Sequence, residues 1–408
     1  MLIHDVDKPP YWPISVFDPV VPKGFTILLG IALAVIAAAP IVAPRTPGTL
    51  SLGTAFASAA LLLAGSNLLQ GCADALITPT VGKGMYWAEA VNVPTALEFL
   101  RTFNDRQLEL GVHGRTHPPG AILTYYFLYR VFSQPALVSL AVGFVGFFGT
   151  GLLVYRMLRA NASVAAATSA TALLLFLPAV QVYFVSSLDA VICFSFTATL
   201  YASYRWHGIV RDLGTAVTIA LSMLLSFAFL WLLATLICFE LRTRRELRRL
   251  VAPICAPIIC VLGLEYLTGF DWCRALRTAT LRENPGGFWL VANPGTYFFT
   301  RLEGIAELVL FASPPLVYEW VKRLRQETRP SDFVTLSKIG LAVLLSTFLT
   351  GAFKTGETAR ACSFIYPLVV LPLASCAPNR AAFENNRQLL IALVIQTVVM
   401  QLFGSYYW

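Results

Sequence analysis

The chain has 408 residues, of which 57% are hydrophobic and only 13% charged, with a mean hydropathy of +0.68. A soluble domain carries about a quarter charged residues, so the composition excludes an ordinary soluble globular protein. The net charge of +8 is gathered in short clusters between apolar runs. That is the pattern of a membrane topology signal, not of a nucleic-acid footprint.

Residues 1–23 are polar and rich in proline, and the apolar run that follows is of full span length, so no cleavable signal peptide is expected. Runs approaching the roughly 20 apolar residues that cross a bilayer predict helices at 24–44, 50–69, 135–157, 163–181, 187–206, 213–226, 227–241, 250–268, 303–321, 334–352, 360–378 and 388–404. The stretch 213–241 is too long for one straight span and is read as a tight hairpin of two short helices. The expectation is a single all-α polytopic domain over 1–408 with about 12 transmembrane helices and both termini outside.

Charge fixes the expected orientation. Arg242, Arg244, Arg245, Arg248 and Arg249 form the strongest basic loop and are assigned to the cytoplasm, as are Lys322, Arg323, Arg325 and Arg329. Arg156, Arg159, Arg205, Arg211, Arg380 and Arg387 then fall inside too, provided that 117–133 does not cross. Two large loops remain outside, 70–134 and 269–302. In the first, Ala96, Leu97, Phe99, Leu100 and Phe103 recur at near-helical spacing and predict a short amphipathic helix. Residues 118–132 open with Pro118, Pro119 and Gly120 and carry Tyr125, Tyr126 and Tyr129; they are read as a juxtamembrane helix with its tyrosines at headgroup level.

Eight cysteines occur without a CxxC pair or a Cys/His metal spacing. Cys193, Cys238, Cys255, Cys260, Cys362 and Cys376 lie in or beside apolar segments and read as small core residues. Cys72 and Cys273 fall on the same proposed side, and a disulfide between them is left open.

The polar motifs that interrupt the apolar chain all map to the outer face. Asp74, Glu89, Glu98, Asp105, Glu109, His113 and His117 belong to the first loop. A carboxylate there suits a general base, although a solvated loop carries charges in any case. His113 and His117 are four apart, but Pro118 and Pro119 argue against helix through His117, which could equally be a cap. Asp189, in Ser186-Ser187-Leu188-Asp189, resembles a capping box opening 187–206, and a helix start at the surface also attracts anions. The second loop sets Arg274, Arg277, Arg282 and Arg301 among aromatics, which suits either an anionic headgroup or sugar, or a plain interfacial belt. Glu357 and Arg360 are three apart and can pair locally, or Arg360 can receive a phosphate that Glu357 helps orient.

Taken together, HGRTHPPGAIL at 113–123, Asp189 after a proline-broken span, ENPGGFWLVANPGTYFFTRLE at 283–303 and TGETAR at 355–360 resemble a bacterial GT-C glycosyltransferase of the family 39-like group. The resemblance covers roughly 70–378. It implies an inverting, cell-envelope transferase of the bacterial inner membrane, active at the outer face in polysaccharide or glycolipid biosynthesis. The donor would be a polyprenyl-phosphate-linked sugar and the acceptor a lipid or glycan; nucleic acid is not an expected partner. The acidic residue that serves as base or metal ligand in the superfamily maps here to Asp74 or Glu89, beside His117. The adjacent acidic pair often seen after the first span is missing, and one additional span precedes the loop. His113, Asp189, Arg301, Glu357 and Arg360 are the expected substrate-binding residues. A divalent metal ion is the one cofactor such a site would take. A lipid-carrier or small-molecule transporter is the alternative from another class, disfavoured because the polar residues gather at one face and not at mid-depth. A catalytically silent scaffold is the third.

Overall fold

The computed structural model describes residues 25–42, 50–82, 84–243, 246–283, 287–326, 331–352, 357–375, 380–404 and 406. Among these residues the chain is all helical, and one continuous apolar core runs through it. Among the described residues, five helices are long and apolar enough to cross a membrane: Pro135–Leu158, Gly208–Leu225, Arg248–Thr268, Asp332–Leu349 and Asn386–Phe403. Thr26–Val42, Leu52–Leu68, Val164–Leu175 and Ser363–Ala374 are apolar but shorter. The expected count of about 12 transmembrane helices is not confirmed, and several of the expected spans are broken.

The breaks have local causes. The expected span 163–181 ends at Leu175, and Pro178 opens a second short helix, Pro178–Tyr183. Proline has no N–H to donate and clashes with the preceding turn, so carbonyls are left without partners. The buried Gln181 answers this: its Nε2 donates to Leu175 O at 2.6 Å and to Ala59 O at 3.1 Å. Asn67 donates in turn to Gln181 O at 2.7 Å, and Gln401 donates to Asn67 Oδ1 at 3.1 Å. These interior amides are thus spent on joining helices.

The expected span 303–321 is also corrected. Two helices, Pro294–Ala312 and Pro314–Gln326, meet at Ser313, which adopts a φ of 72° just before Pro314-Pro315. The expected span 360–378 is an irregular chain of short helical turns, Thr358–Ala361, Ser363–Ile365, Tyr366–Val370 and Leu371–Ser375. The hairpin read from 213–241 is present as Gly208–Leu225 and Phe229–Thr243, separated at Ser226, whose Oγ accepts from Ala228 N at 3.1 Å.

The two large loops dock on each other. Asn104 donates to Asp271 O at 2.8 Å and accepts from Asp271 N at 2.9 Å. Gln107, fully buried, donates to Arg115 O and Ala275 O, both at 2.9 Å. Phe99 and Phe103 form the buried stripe of the helix Ala96–Arg106, as its spacing predicts. The helix Gly120–Phe132 departs from expectation, since Tyr125 and Tyr126 are buried in the protein and do not face lipid. Its start lies so close to Leu224 that a Cβ at Gly120 would stand 2.4 Å from Leu224 O; only glycine fits.

Cys273 is a free, exposed thiol, and the side chain of Cys72, its suggested disulfide partner, lies outside the described residues. Cys193 and Cys362 are buried as expected, whereas Cys238 and Cys255 are exposed on their helices. Cys376, Arg244, Arg245, Arg329, Asn284 and Gly356 lie outside the described residues.

Candidate active site

The site is assembled from segments far apart in the chain. The helix Leu188–Arg205 opens at Ser187, whose Oγ accepts from Asp189 N at 3.1 Å and donates to Asp189 Oδ2 at 2.8 Å. Ser187 is thus the cap, not the Ser186 of the expected capping box; Ser186 donates to Ala75 O instead. The Asp189 side chain is held at the first turn of the helix, pointing at Arg360. Arg360 Nε lies 3.4 Å from Asp189 Oδ2, and the other arm of the guanidinium is paired with Glu357. Both carboxylates therefore converge on one cation. Side-chain exposures of 13% for Arg360 and 17% for Asp189 put this pair largely out of water, where charge interactions are strong and unpaired charges costly.

The turn that carries Arg360 is strained. Glu357 is a non-glycine residue at φ 56°, in the left-handed region. Such residues persist where surrounding contacts over-determine them. Here the following amides, Thr358 N and Ala359 N, donate to the two carboxylate oxygens of Glu307 at 3.1 and 2.9 Å. Ser363, just beyond, donates to Asp189 O at 3.1 Å and ties the two segments together.

The loop 70–134 supplies further residues. Val112–Thr116 is helical and stops at His117, which is extended ahead of Pro118, as the proline pair requires. His117 Nδ1 stands 3.0 Å from His113 O. A carbonyl can only accept, so Nδ1 carries the proton and Nε2 presents a lone pair. Tyr86 stacks on Tyr125 with ring centroids 5.3 Å apart and lies 5.8 Å from the His117 ring and 5.9 Å from His113. Burial, then the charge of Asp189, pushes the Tyr86 and Tyr125 phenols up. Burial lowers His117, with Asp189 opposing and Arg360 assisting. The charges of Asp189 and Arg360 are thus felt at these loop residues.

His113 is pushed down to about 3 by burial, by Arg360 and by His117. An unfolded histidine titrates near pH 6.5. Its neutral form is therefore favoured by folding, and its contribution is complete above about pH 6.5 and is lost as pH falls toward about 3. Melting temperature should drop as the buffer is taken from about pH 7.5 to about pH 5. His113→Gln should flatten that slope; an unaltered slope would show that His113 is not the titrating group.

Of the residues expected from sequence, Asp189, Glu357 and Arg360 are in contact, and His113 and His117 lie within range of the Arg360 charge. Glu89 does not join them: its Oε1 accepts from Gly111 N at 2.7 Å and pins the turn ahead of His113. Arg301 is engaged with backbone carbonyls. Its guanidinium donates to Phe348 O at 3.0 Å and to Ala352 O, closing the end of the helix Asp332–Leu349, and it lies over the Tyr297 ring. Asp74 belongs to the short helix Cys72–Leu76, and its side chain lies outside the described residues. Sequence reasoning missed Tyr86, Ser187, Ser363 and Glu307. Ser187 could have been found as the residue directly ahead of an apolar helix; the other three act through long-range contacts that leave no local pattern. Among the described residues, no three His, Cys, Asp or Glu side chains gather as a metal cluster.

No family model matches the chain, and no curated protein matches it. Among solved structures, similarity is found to ArnT from Cupriavidus metallidurans in the apo state, with 15% identity and a TM-score of 0.44, over 72% of this chain and 57% of that one. ArnT from the same organism bound to undecaprenyl phosphate gives 12% identity and a TM-score of 0.48, over 78% of this chain and 74% of that one. The chain thus spans little more than half of the apo ArnT chain.

Proposed function

We propose that the chain is a membrane glycosyltransferase that moves a sugar from a polyprenyl-phosphate-linked donor to an acceptor at the outer face of the bacterial inner membrane. The observation that carries this reading is Arg360, a largely sequestered cation between Asp189 and Glu357 whose charge is felt at His117. Arg360 with its two carboxylates sums to one negative charge, so an anionic phosphate gains Arg360 only by displacing a carboxylate. The Glu357 contact is local and close, whereas Asp189 is held at 3.4 Å from another helix. Asp189 is therefore the partner released.

Release frees the Asp189 carboxylate to meet the acceptor hydroxyl. Asp189 would take the proton of the acceptor hydroxyl as that oxygen attacks the anomeric carbon, while the bond to the phosphate oxygen breaks and the lipid phosphate leaves on Arg360. One base and one held leaving group suffice for inversion by direct displacement. His117 Nε2, as an acceptor, suits a sugar or acceptor hydroxyl. In this reading Glu89 positions the loop and Arg301 braces the helix ends, and the base is Asp189, not Glu89. The transporter reading draws less support, because the interior amides Asn67 and Gln181 are engaged with backbone carbonyls.

The test is turnover. Purified full-length protein in lipid nanodiscs is given undecaprenyl-phosphate-linked sugars with a cell-envelope lipid extract as acceptor. Sugar transfer with matching release of undecaprenyl phosphate is expected. Absence of both transfer and undecaprenyl phosphate binding would overturn the proposal.

A further inference from the structure

We infer that Glu307 is a positioning residue for Arg360, fixing where the anion-binding guanidinium stands by clamping the turn that carries it; this rests on the reading of Arg360 given above. Glu307 lies on the helix Pro294–Ala312 and is fully buried. Its two oxygens are both used, one on Thr358 N and the other on Ala359 N. Both bonds, at 3.1 and 2.9 Å, lie in the ordinary N–H···O range, and losing an acceptor there would leave a buried amide unpaired.

The turn needs an external clamp. A helix of four residues, Thr358–Ala361, is far below the length that sustains itself. It also opens on a left-handed glutamate, a conformation with an inherent cost. Arg360 is the residue directly after the clamped Ala359 amide, so any slack in the turn moves its guanidinium away from Asp189. The supporting helix is shaped for this contact. Gly304 lies one turn before Glu307, and a Cβ there would stand 3.3 Å from Thr358 Oγ1, tighter than an ordinary contact. Glycine at 304 lets the turn seat closely enough for both amides to reach the carboxylate.

Glu307 touches neither Arg360 nor any expected substrate atom by these contacts, so the effect is indirect and needs a readout specific to Arg360. Full-length wild type, Glu307→Gln, Gly304→Ala and Arg360→Ala are compared in nanodiscs. Three quantities are read: undecaprenyl phosphate affinity, melting temperature, and the rate of phenylglyoxal modification of Arg360 relative to the buried Arg301, followed by peptide mass spectrometry. Glu307→Gln keeps the volume but turns an amide NH2 toward a backbone N–H. It should weaken undecaprenyl phosphate binding by roughly tenfold or more and speed Arg360 modification several-fold, with Arg301 unchanged. Gly304→Ala should shift both readings in the same direction by less, and it stands in should Glu307→Gln fail to fold.

Unchanged affinity and unchanged Arg360 modification in folded Glu307→Gln, or in Gly304→Ala when only that variant folds, would overturn the inference. The two readings fail separately. If Arg360→Ala binds as wild type does, the phosphate role of Arg360 falls, and the modification rate alone decides the positioning role. If Arg360→Ala loses binding while Glu307→Gln keeps it and leaves Arg360 protected, only the role of Glu307 falls.

Discussion

Arg360→Ala should weaken undecaprenyl phosphate binding by about 1.5–3 kcal/mol, the loss of one set of charged hydrogen bonds. Arg360→Lys should recover part of this, because an ammonium supplies the charge but not the planar fork that grips two phosphate oxygens. Arg360→Ala should also lower melting temperature, since it leaves Asp189 and Glu357 as two like charges in a largely buried place. The stability loss and the binding loss are separable. Adding Glu357→Gln to Arg360→Ala removes one of the stranded charges, so melting temperature should climb back while affinity stays low. If Arg360 were only one half of a local ion pair, Glu357→Ala and Arg360→Ala would destabilise equally and affinity per folded molecule would hold. Unchanged affinity in Arg360→Ala removes this residue from the site.

The parts of the site that could be read from sequence are those whose chemistry is local. His117 ahead of two prolines must be extended, and Pro178 must break its helix; both follow from the pyrrolidine ring alone. Polar residues in so apolar a chain are conspicuous, which is why His113, Asp189, Glu357 and Arg360 stood out. Their convergence is a tertiary fact that no spacing encodes. The misread span 303–321 shows a different limit. Its hydropathy is that of a crossing helix, but Pro314-Pro315 marks a boundary that an averaged window hides. Glu307 was lost inside the same window, where an acid looks like a blemish in an apolar run until the turn that it clamps is seen. Arg301 misled in the opposite way. An arginine among aromatics near the end of a loop reads as a ligand group, yet the carbonyls at the end of the helix Asp332–Leu349 claim it first. Tyr125 and Tyr126 were drawn to the headgroups by their amphipathic character, whereas Tyr86, some forty residues earlier, supplies Tyr125 with an aromatic partner in the interior.

Asp189→Asn should abolish most sugar transfer, by about 10²–10⁴-fold, the usual worth of a positioned general base, and do so without harming the fold. The amide keeps the size of the carboxylate. Its oxygen can accept from Ser187 Oγ as Asp189 Oδ2 does, and the cap from Ser187 Oγ to the backbone N of residue 189 does not involve the side chain. Melting temperature should therefore change little. Affinity for undecaprenyl phosphate should hold or rise, because the carboxylate that competes for Arg360 has become neutral while Glu357 still orients the guanidinium. The signature of a base is thus opposite movement in the two readouts, transfer falling while phosphate binding does not. A side chain that merely holds Ser187 in place would show neither change in Asp189→Asn and would show lower stability in Asp189→Ala. Transfer at the wild-type rate in Asp189→Asn, measured at saturating donor, would exclude Asp189 as the base and turn attention to His117, whose Nε2 is another acceptor at the site.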